Sequence, residues 1–171
     1  MLRWFINKRL DAEEKNLGES MDYLRYITDR SPSAMLRFAG IGPFANSRKT
    51  LPADAWYAAQ LVVLHHEDCG TCLQIGVNLA RQDSVAPALI HDVLDGKWSE
   101  LSPGLDTICR FARQSVTDKI ADEEMRNEII DRYGEKGLIE LAYAISAAAI
   151  PPTVKRVLGF ARTCSSVEVR V

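Results

Sequence analysis

The sequence predicts an all-α protein, and three observations carry this prediction. Apolar residues recur mainly at helical spacing along the chain. No set of segments alternates between apolar and polar residues in the way that half-buried strands do. The candidate helices end at glycine or proline signals, which terminate helices. We therefore expect a helical bundle that forms a single domain over residues 1–171.

Length and charge limit the classes of function. A chain of 171 residues can bury a core without disulfide bonds. Its 21 basic and 23 acidic residues give a net charge of −2, so the chain has no basic field for nucleic acid. The N-terminus lacks the apolar core of a signal peptide, and no run approaches the roughly 20 apolar residues of a membrane span. We expect a cytoplasmic protein with neither a nucleic-acid nor a membrane partner.

Residues 1–50 are expected to form an N-terminal helical extension. Ser20 can cap a helix whose apolar residues share one face, and Ser31-Pro32 should end it because the residue before proline disfavours helical geometry. A short helix can start at Ser33, and the glycines and proline of residues 39–43 then interrupt the helical pattern.

Two apolar helices are expected at the centre of the fold. The first covers residues 53–65, begins after Pro52, and is apolar enough to be buried on most of its circumference. The second covers residues 69–81, with Asp68 as its N-cap. The dipole of this second helix would favour a thiolate in its first turn.

Further helices are expected in the second half of the chain. They cover residues 86–94, 103–115, 122–133 and 138–149. Pro151-Pro152 should end the last of them, and one more helix is expected over residues 153–160. The final segment, residues 164–171, is expected to be a loose or locally extended end.

One segment combines a Cys-x-x-Cys pair with histidines and carboxylates directly before it. It consists of His65, His66, Glu67, Asp68, Cys69, Gly70, Thr71 and Cys72. Because cytoplasmic thiols are kept reduced, such a pair indicates catalysis, redox exchange or metal binding rather than a structural disulfide. Attack by a thiol requires the thiolate, which nearby bases and a helix start both favour.

Several motifs, in this order and spacing, resemble the AhpD-like family, which includes carboxymuconolactone decarboxylases and alkylhydroperoxidases. The resemblance covers residues 51–159, so that residues 51–160 would form the family core. The matching pieces are the apolar helix before the dithiol, Cys69-Gly70-Thr71-Cys72, residues 85–96, Leu101-Ser102-Pro103, Phe111-Ala112, Val116-Thr117 and residues 137–141.

The resemblance implies an all-helical subunit that assembles as a homo-oligomer, such as a trimer or hexamer. The dithiol would lie at a helix start near a subunit interface. Family members that keep the dithiol reduce peroxides or exchange disulfides. The second cysteine usually attacks the peroxide, so the resemblance makes Cys72 the nucleophile and Cys69 the resolving thiol.

The chain departs from the family at the proton relay. The family places a glutamate before the dithiol and a histidine after it, and the matching positions here hold Tyr57 and Gly76. A phenol has a reference pKa of about 10 and glycine has no side chain, so neither can replace the relay near neutral pH. A peroxidase assignment therefore does not transfer whole.

The residues upstream of the dithiol offer a substitute relay. We hypothesise that His65, His66 or Glu67 deprotonates one of the cysteines. On a continuous helix, His65 and His66 would share a face with Cys69. Histidine carries protons in this pH range, and it could lower the pKa of a thiol from about 8.5. These neighbours favour Cys69 as the activated thiol, so the order of attack stays open.

Two other readings of the cluster are possible. His65, Cys69 and Cys72 could bind zinc, with Glu67 or His66 as a fourth ligand, although no second ligand pair exists. The cysteines could instead be small core residues of a helical protein whose role is oligomerisation or binding. No glycine-rich loop follows a strand, so no cofactor is expected. A redox protein would need a small peroxide or disulfide substrate and a thiol reductant, neither of which the sequence identifies.

The other cysteines and the tryptophans are expected to serve packing. Cys109 and Cys164 stand alone, and Trp4, Trp56 and Trp98 are predicted anchors, with Trp56 also a candidate to line a pocket above the dithiol. The apolar N-terminal arm and the alanine-rich residues 141–150 are candidate subunit contacts, and the alternative for residues 141–150 is an internal core helix.

Overall fold

The computed structural model describes residues 1–118, 121–160 and 170–171. Over these residues the chain forms α-helices, one short 3₁₀ turn and no strand, so the predicted all-α class is confirmed. The helices are α1 (Leu2–Leu17), α2 (Asp22–Arg30), α3 (Pro32–Ala39), α4 (Gly42–Ala45), α5 (Ala53–His66), α6 (Gly70–Gln82), α7 (Pro87–Leu94), α8 (Pro103–Thr117) and α9 (Glu123–Val157), with the 3₁₀ turn at Trp98–Glu100.

Helix α5 lies at the centre of the fold, as the sequence predicts. It packs against α6, α7, α8 and α9. Its side chains are buried on nearly every side because the segment carries almost no charge after Asp54. Ala55, Ala58 and Ala59 are among the buried residues, and their small size lets the neighbouring helices approach closely. The core is therefore organised around the helix that leads into the dithiol segment.

The N-terminal extension forms its own small apolar cluster beside this core. Leu10, Leu17 and Met21 are buried together. Helix α2 begins after Met21 without a side-chain cap, so the prediction that Ser20 caps it is wrong. The Glu14 carboxylate on α1 instead accepts the Met21 backbone N–H at 2.7 Å. A tertiary acceptor thus replaces the local one.

Helix α9 differs from prediction at its prolines. Two helices meet at Gly134, as expected, but the second continues through Pro151-Pro152 to Val157 instead of ending there. Pro152 is almost fully buried, and the Thr153 hydroxyl donates to the Ala149 carbonyl at 2.8 Å. Packing of the buried proline outweighs the backbone donors that the two prolines lack. The separate helix expected over residues 153–160 is therefore the end of α9.

Most of the C-terminal segment that is predicted to be a loose or locally extended end, residues 164–171, lies outside the described residues. At Arg170, the backbone N–H group donates to the Gln74 side chain on α6 at 2.7 Å, and the backbone carbonyl accepts from that side chain at 2.8 Å.

By its length and composition, α9 is apolar enough to cross a membrane, a test that buried core helices also pass. The prediction of a cytoplasmic protein without a membrane partner stays a prediction.

Replacing Gly134 with alanine is expected to destabilise the protein by about 1–3 kcal/mol. Gly134 has φ 70° and ψ 172°, a combination that residues with a side chain rarely adopt, although open space surrounds its Cα. Chemical denaturation measures the effect. Gly42→Ala is the matched control, because that glycine also faces open space but has no left-handed φ. Equal stability of the two variants would contradict the backbone explanation.

Candidate functional site

The two cysteines of the Cys-x-x-Cys pair lie side by side at the start of α6. Helix α5 ends at His66, a two-residue turn follows, and Cys69 is the N-cap of α6. Cys72 lies in the first turn, and the two Sγ atoms are 2.7 Å apart. Both residues are buried, with 3% and 6% of their surface exposed. The pair has the proximity that disulfide formation requires.

The prediction that Asp68 caps α6 is wrong. Asp68 is exposed and adopts a left-handed conformation with φ 50°, and no side chain caps α6. Cys69 takes the N-cap position that the sequence assigned to Asp68. The chain reverses between α5 and α6 within two residues, and this reversal needs a positive φ, which aspartate tolerates better than most residues. Backbone geometry, rather than capping, explains the aspartate.

A cavity of about 300 Å³ opens beside Cys72. Helices α2, α5, α6 and α9 supply most of its walls. The apolar lining residues are Met21, Leu24, Ala45, Trp56, Leu64, Ile75, Gly76, Leu79, Ala147, Ala148 and Pro151. Polar groups in the lining come from Ser20, Tyr23, Asn46, Tyr57, Gln60 and Lys155. Cys72 lines this cavity, whereas the lining does not include Cys69.

Tyr57 and Gly76, which the sequence resemblance aligns with the relay positions of the AhpD-like family, also line the cavity. Burial, assisted by the charge of Asp83, raises the pKa of the Tyr57 phenol, so it stays protonated at neutral pH. At Gly76 a Cβ atom would lie 2.7 Å from the Leu64 Cδ1 atom. The packing of Leu64 therefore leaves no room for a side chain at this position unless Leu64 moves.

His65, His66 and Glu67, the candidate relay residues before the dithiol, do not line the cavity. His65 is exposed and His66 is half-buried. Because α5 ends at His66, the continuous helix that would place His65 and His66 on one face with Cys69 does not form. The Glu67 carboxylate binds the Arg156 guanidinium, which also donates to the Glu67 carbonyl at 3.1 Å. A proton-carrying role for His65, His66 or Glu67 stays a prediction, through the turn rather than along a helix.

Two residues of the site were missed by sequence reasoning. Tyr23 on α2 is buried and lines the cavity, and Lys155 on α9 is only 5% exposed. The Lys155 Nζ atom lies 5.8 Å from the centroid of the Tyr23 ring. Burial, then the charges of Cys72 and Cys69, raise the pKa of Tyr23, which reflects its proximity to both thiols.

A sequence signal for Lys155 did exist. Helical spacing continued through Pro151-Pro152 would have placed Lys155 on the apolar face of Ala148 and Pro151. Because Pro151 and Pro152 predict the end of the helix, the sequence does not predict this face. Tyr23 carried no comparable signal, because only the tertiary fold brings α2 to α6.

The remaining cysteine and tryptophan predictions have mixed outcomes. Cys109 is fully buried, as a packing role requires, and burial followed by the charge of Asp106 raises its pKa to about 12, so its thiol stays protonated at neutral pH. Cys164 lies outside the described residues. Trp56 is buried and lines the cavity, as predicted. Trp4 is 59% exposed, so its predicted anchoring role is wrong: it stacks edge-on with Phe5 on the surface of α1.

The described part of the chain contains no group of three or more histidine, cysteine, aspartate or glutamate residues placed to hold a metal. The zinc hypothesis, which needs His65 to join Cys69 and Cys72, therefore gains no support from the fold.

The alanine-rich residues of α9 pack inside the fold, because Ala144 and Ala148 are buried in the main core.

Comparison of the chain with models of known protein families, with curated proteins and with solved structures found no match. The interpretation of the site therefore rests on its own residues: a buried pair of thiols, one of which faces a largely apolar cavity.

Proposed function

We propose that this protein is a thiol–disulfide oxidoreductase that reduces a small peroxide or disulfide through Cys69 and Cys72. The observation that carries the proposal is the 2.7 Å separation of the two sulfur atoms, together with the position of Cys72 in the cavity wall. Cys72 can meet a substrate in the cavity, and Cys69 is close enough to close the disulfide. This arrangement favours Cys72 as the attacking thiol.

With a peroxide the proposed cycle has two steps. The Cys72 thiolate attacks one peroxide oxygen, the O–O bond breaks, and the alcohol leaves after it takes up a proton, which forms a sulfenic acid on Cys72. Cys69 then attacks the Cys72 sulfur, an S–S bond forms, and water leaves. The dithiol has lost two electrons to the peroxide. A thiol reductant of the cell returns them and restores both thiols.

The AhpD-like resemblance adds to this proposal. The two family relay positions, Tyr57 and Gly76, share one cavity with Cys72, as a relay serving that thiol would require. The relay residues themselves are absent, so the protein would activate its thiol by another route. We also propose assembly as a homo-oligomer, such as a trimer or hexamer, for which the exposed Trp4 and Phe5 on α1 offer apolar surface.

The cavity lining indicates the substrate class. Its walls are mostly apolar, from Trp56, Leu64, Ile75 and other side chains. Apolar walls favour an organic hydroperoxide over hydrogen peroxide, because burial of the organic group contributes binding energy. The competing possibility is a non-catalytic protein with structural cysteines, which the burial of both thiols favours.

One equivalent of tert-butyl hydroperoxide added to the reduced protein tests the redox proposal. We expect two of the four thiols to disappear, with Cys69 and Cys72 joined in one disulfide that peptide mapping identifies. Dithiothreitol should restore both thiols, and equilibration with glutathione gives the reduction potential. The Cys109→Ser variant should behave identically. Retention of all four thiols, or oxidation confined to Cys164, would favour the structural reading.

A further inference from the structure

We infer that Lys155 supplies the positive charge that stabilises the Cys72 thiolate, in place of the family relay that this chain lacks, with Tyr23 close to both the ammonium group and the dithiol. The inference rests on the proposed redox function and deepens it. Lys155 and Cys72 line the same cavity from different helices, α9 and α6. Neither residue is near the other in sequence.

The position of Lys155 is unusual for a lysine. Its side chain is 5% exposed, and it occupies the last turn of the helix that continues through Pro151-Pro152. Burial places the ammonium group in surroundings of low polarity, where it acts on another charge in the cavity more strongly than it would in water. The Cys72 thiolate is such a charge.

Tyr23 connects the two groups. The Lys155 Nζ atom lies 5.8 Å from the centroid of its ring, a distance at which a cation is attracted to the aromatic face. The same phenol lies close enough to Cys72 and Cys69 for their charges to raise its pKa. Tyr23 therefore remains neutral and cannot act as the base, and its buried ring adds apolar surface beside the lysine. Low local polarity strengthens the interaction of the two charges.

Other titratable and charged groups also lie near Lys155. Burial raises the pKa of the Glu19 carboxyl group, which lies just before α2, although the charges of Arg170 and Lys155 act to lower it. Glu19 therefore competes with the thiolate for Lys155. Tyr57 lines the cavity as a neutral phenol, and Arg156 is held by Glu67.

The chemistry requires no proton transfer to or from Lys155. The proton leaves the Cys72 Sγ atom for water or for a nearby base, and the thiolate remains beside the ammonium group. A cation next to a cysteine lowers the thiol pKa from about 8.5 toward the range of about 3.5–7.5. The fraction of reactive thiolate at neutral pH increases accordingly.

The pH profile of alkylation by iodoacetamide tests this role. It is measured in a Cys69→Ser background, where peptide mapping reports modification of Cys72 alone. Lys155→Met should shift the half-maximal rate upward by about one pH unit, which makes alkylation about tenfold slower below that pH. Lys155→Arg should restore the original profile, because it keeps the charge. Glu19→Gln should leave the profile unchanged or shift it downward.

Controls separate charge from folding. Arg126→Met removes an exposed cation at the far end of α9 and should change nothing. If Lys155→Met fails to fold, Lys155→Gln replaces it, with circular dichroism and thermal melting as checks. An unchanged profile in a folded variant without the Lys155 charge would overturn the inference. So would a shift produced by His65→Ala, His66→Ala or Glu67→Gln but not by Lys155→Met.

The outcomes distinguish this inference from the proposed function. A lysine-dependent profile in a protein that forms no Cys69–Cys72 disulfide would support the lysine role and reject the redox cycle. A working disulfide with a lysine-independent profile would support the redox cycle and reject the lysine role.

Discussion

The Cys72→Ser variant is expected to lose peroxide turnover by about 10³-fold or more, as removal of an essential nucleophile does in other enzymes. A serine hydroxyl is a far poorer nucleophile than a thiolate near neutral pH. Turnover is measured with an organic hydroperoxide and a dithiol reductant in excess. The size of the loss follows from the position of Cys72, which is the cysteine that faces the cavity.

The Cys69→Ser variant separates the roles of the two thiols. It should still react once with peroxide but accumulate a sulfenic acid on Cys72, because the resolving thiol is gone. A dimedone-type trapping reagent and mass spectrometry detect this species. Cys109→Ser is the matched control, since that thiol is buried and has a pKa of about 12. A sulfenic acid trapped on Cys69 in the Cys72→Ser variant, and none on Cys72, would reverse the assigned order of attack.

The largest effect on stability is expected at Glu140. Its side chain is buried, and its carboxylate accepts the backbone N–H groups of Lys49, Thr50 and Leu51 at 2.8–3.0 Å. These donors belong to the segment that leads into α5, the helix that ends at the dithiol turn. Glu140→Ala would leave all three donors without this acceptor. We expect a loss of about 3 kcal/mol, since a hydrogen bond to a charged group contributes about 1.5–3 kcal/mol.

Chemical denaturation of Glu140→Ala and Glu140→Gln measures this loss. Glutamine keeps one acceptor oxygen, so its effect should be smaller. Glu135→Ala, an exposed glutamate on the same helix, should change stability by no more than about 0.5 kcal/mol. Equal effects at Glu135 and Glu140 would contradict the proposed role of the carboxylate.

The stability contribution of Glu140 should depend on pH. Burial opposes its ionisation, but the backbone donors of Leu51, Thr50 and Lys49 outweigh burial and hold its pKa below the usual value. The carboxylate therefore binds protons less readily in the folded state. Its contribution is complete above the unfolded pKa of about 4.3 and is lost as the pH falls through the lower, folded pKa. The stability difference between the wild type and Glu140→Gln should shrink over that acid range.

The sequence predicted the bounds of the two central helices well. Helices α5 and α6 were predicted within one residue of their bounds, because long apolar runs bounded by proline and a turn admit few alternatives. The caps were predicted less well. Ser20 and Asp68 are residue types that favour N-caps, yet Glu14 satisfies the donor at Met21, and the reversal before α6 uses Asp68 for its backbone conformation.

The sequence by itself determined that this protein is helical and that its central helix leads into a Cys-x-x-Cys pair. These properties follow from the identity and spacing of neighbouring residues. Only the tertiary structure decided which groups share the cavity with Cys72. Burial of Pro152 carries α9 past its prolines and brings Lys155 to the cavity, and the packing of α2 brings Tyr23 there. Long-range packing makes these contacts, and it leaves no pattern in the sequence near the dithiol.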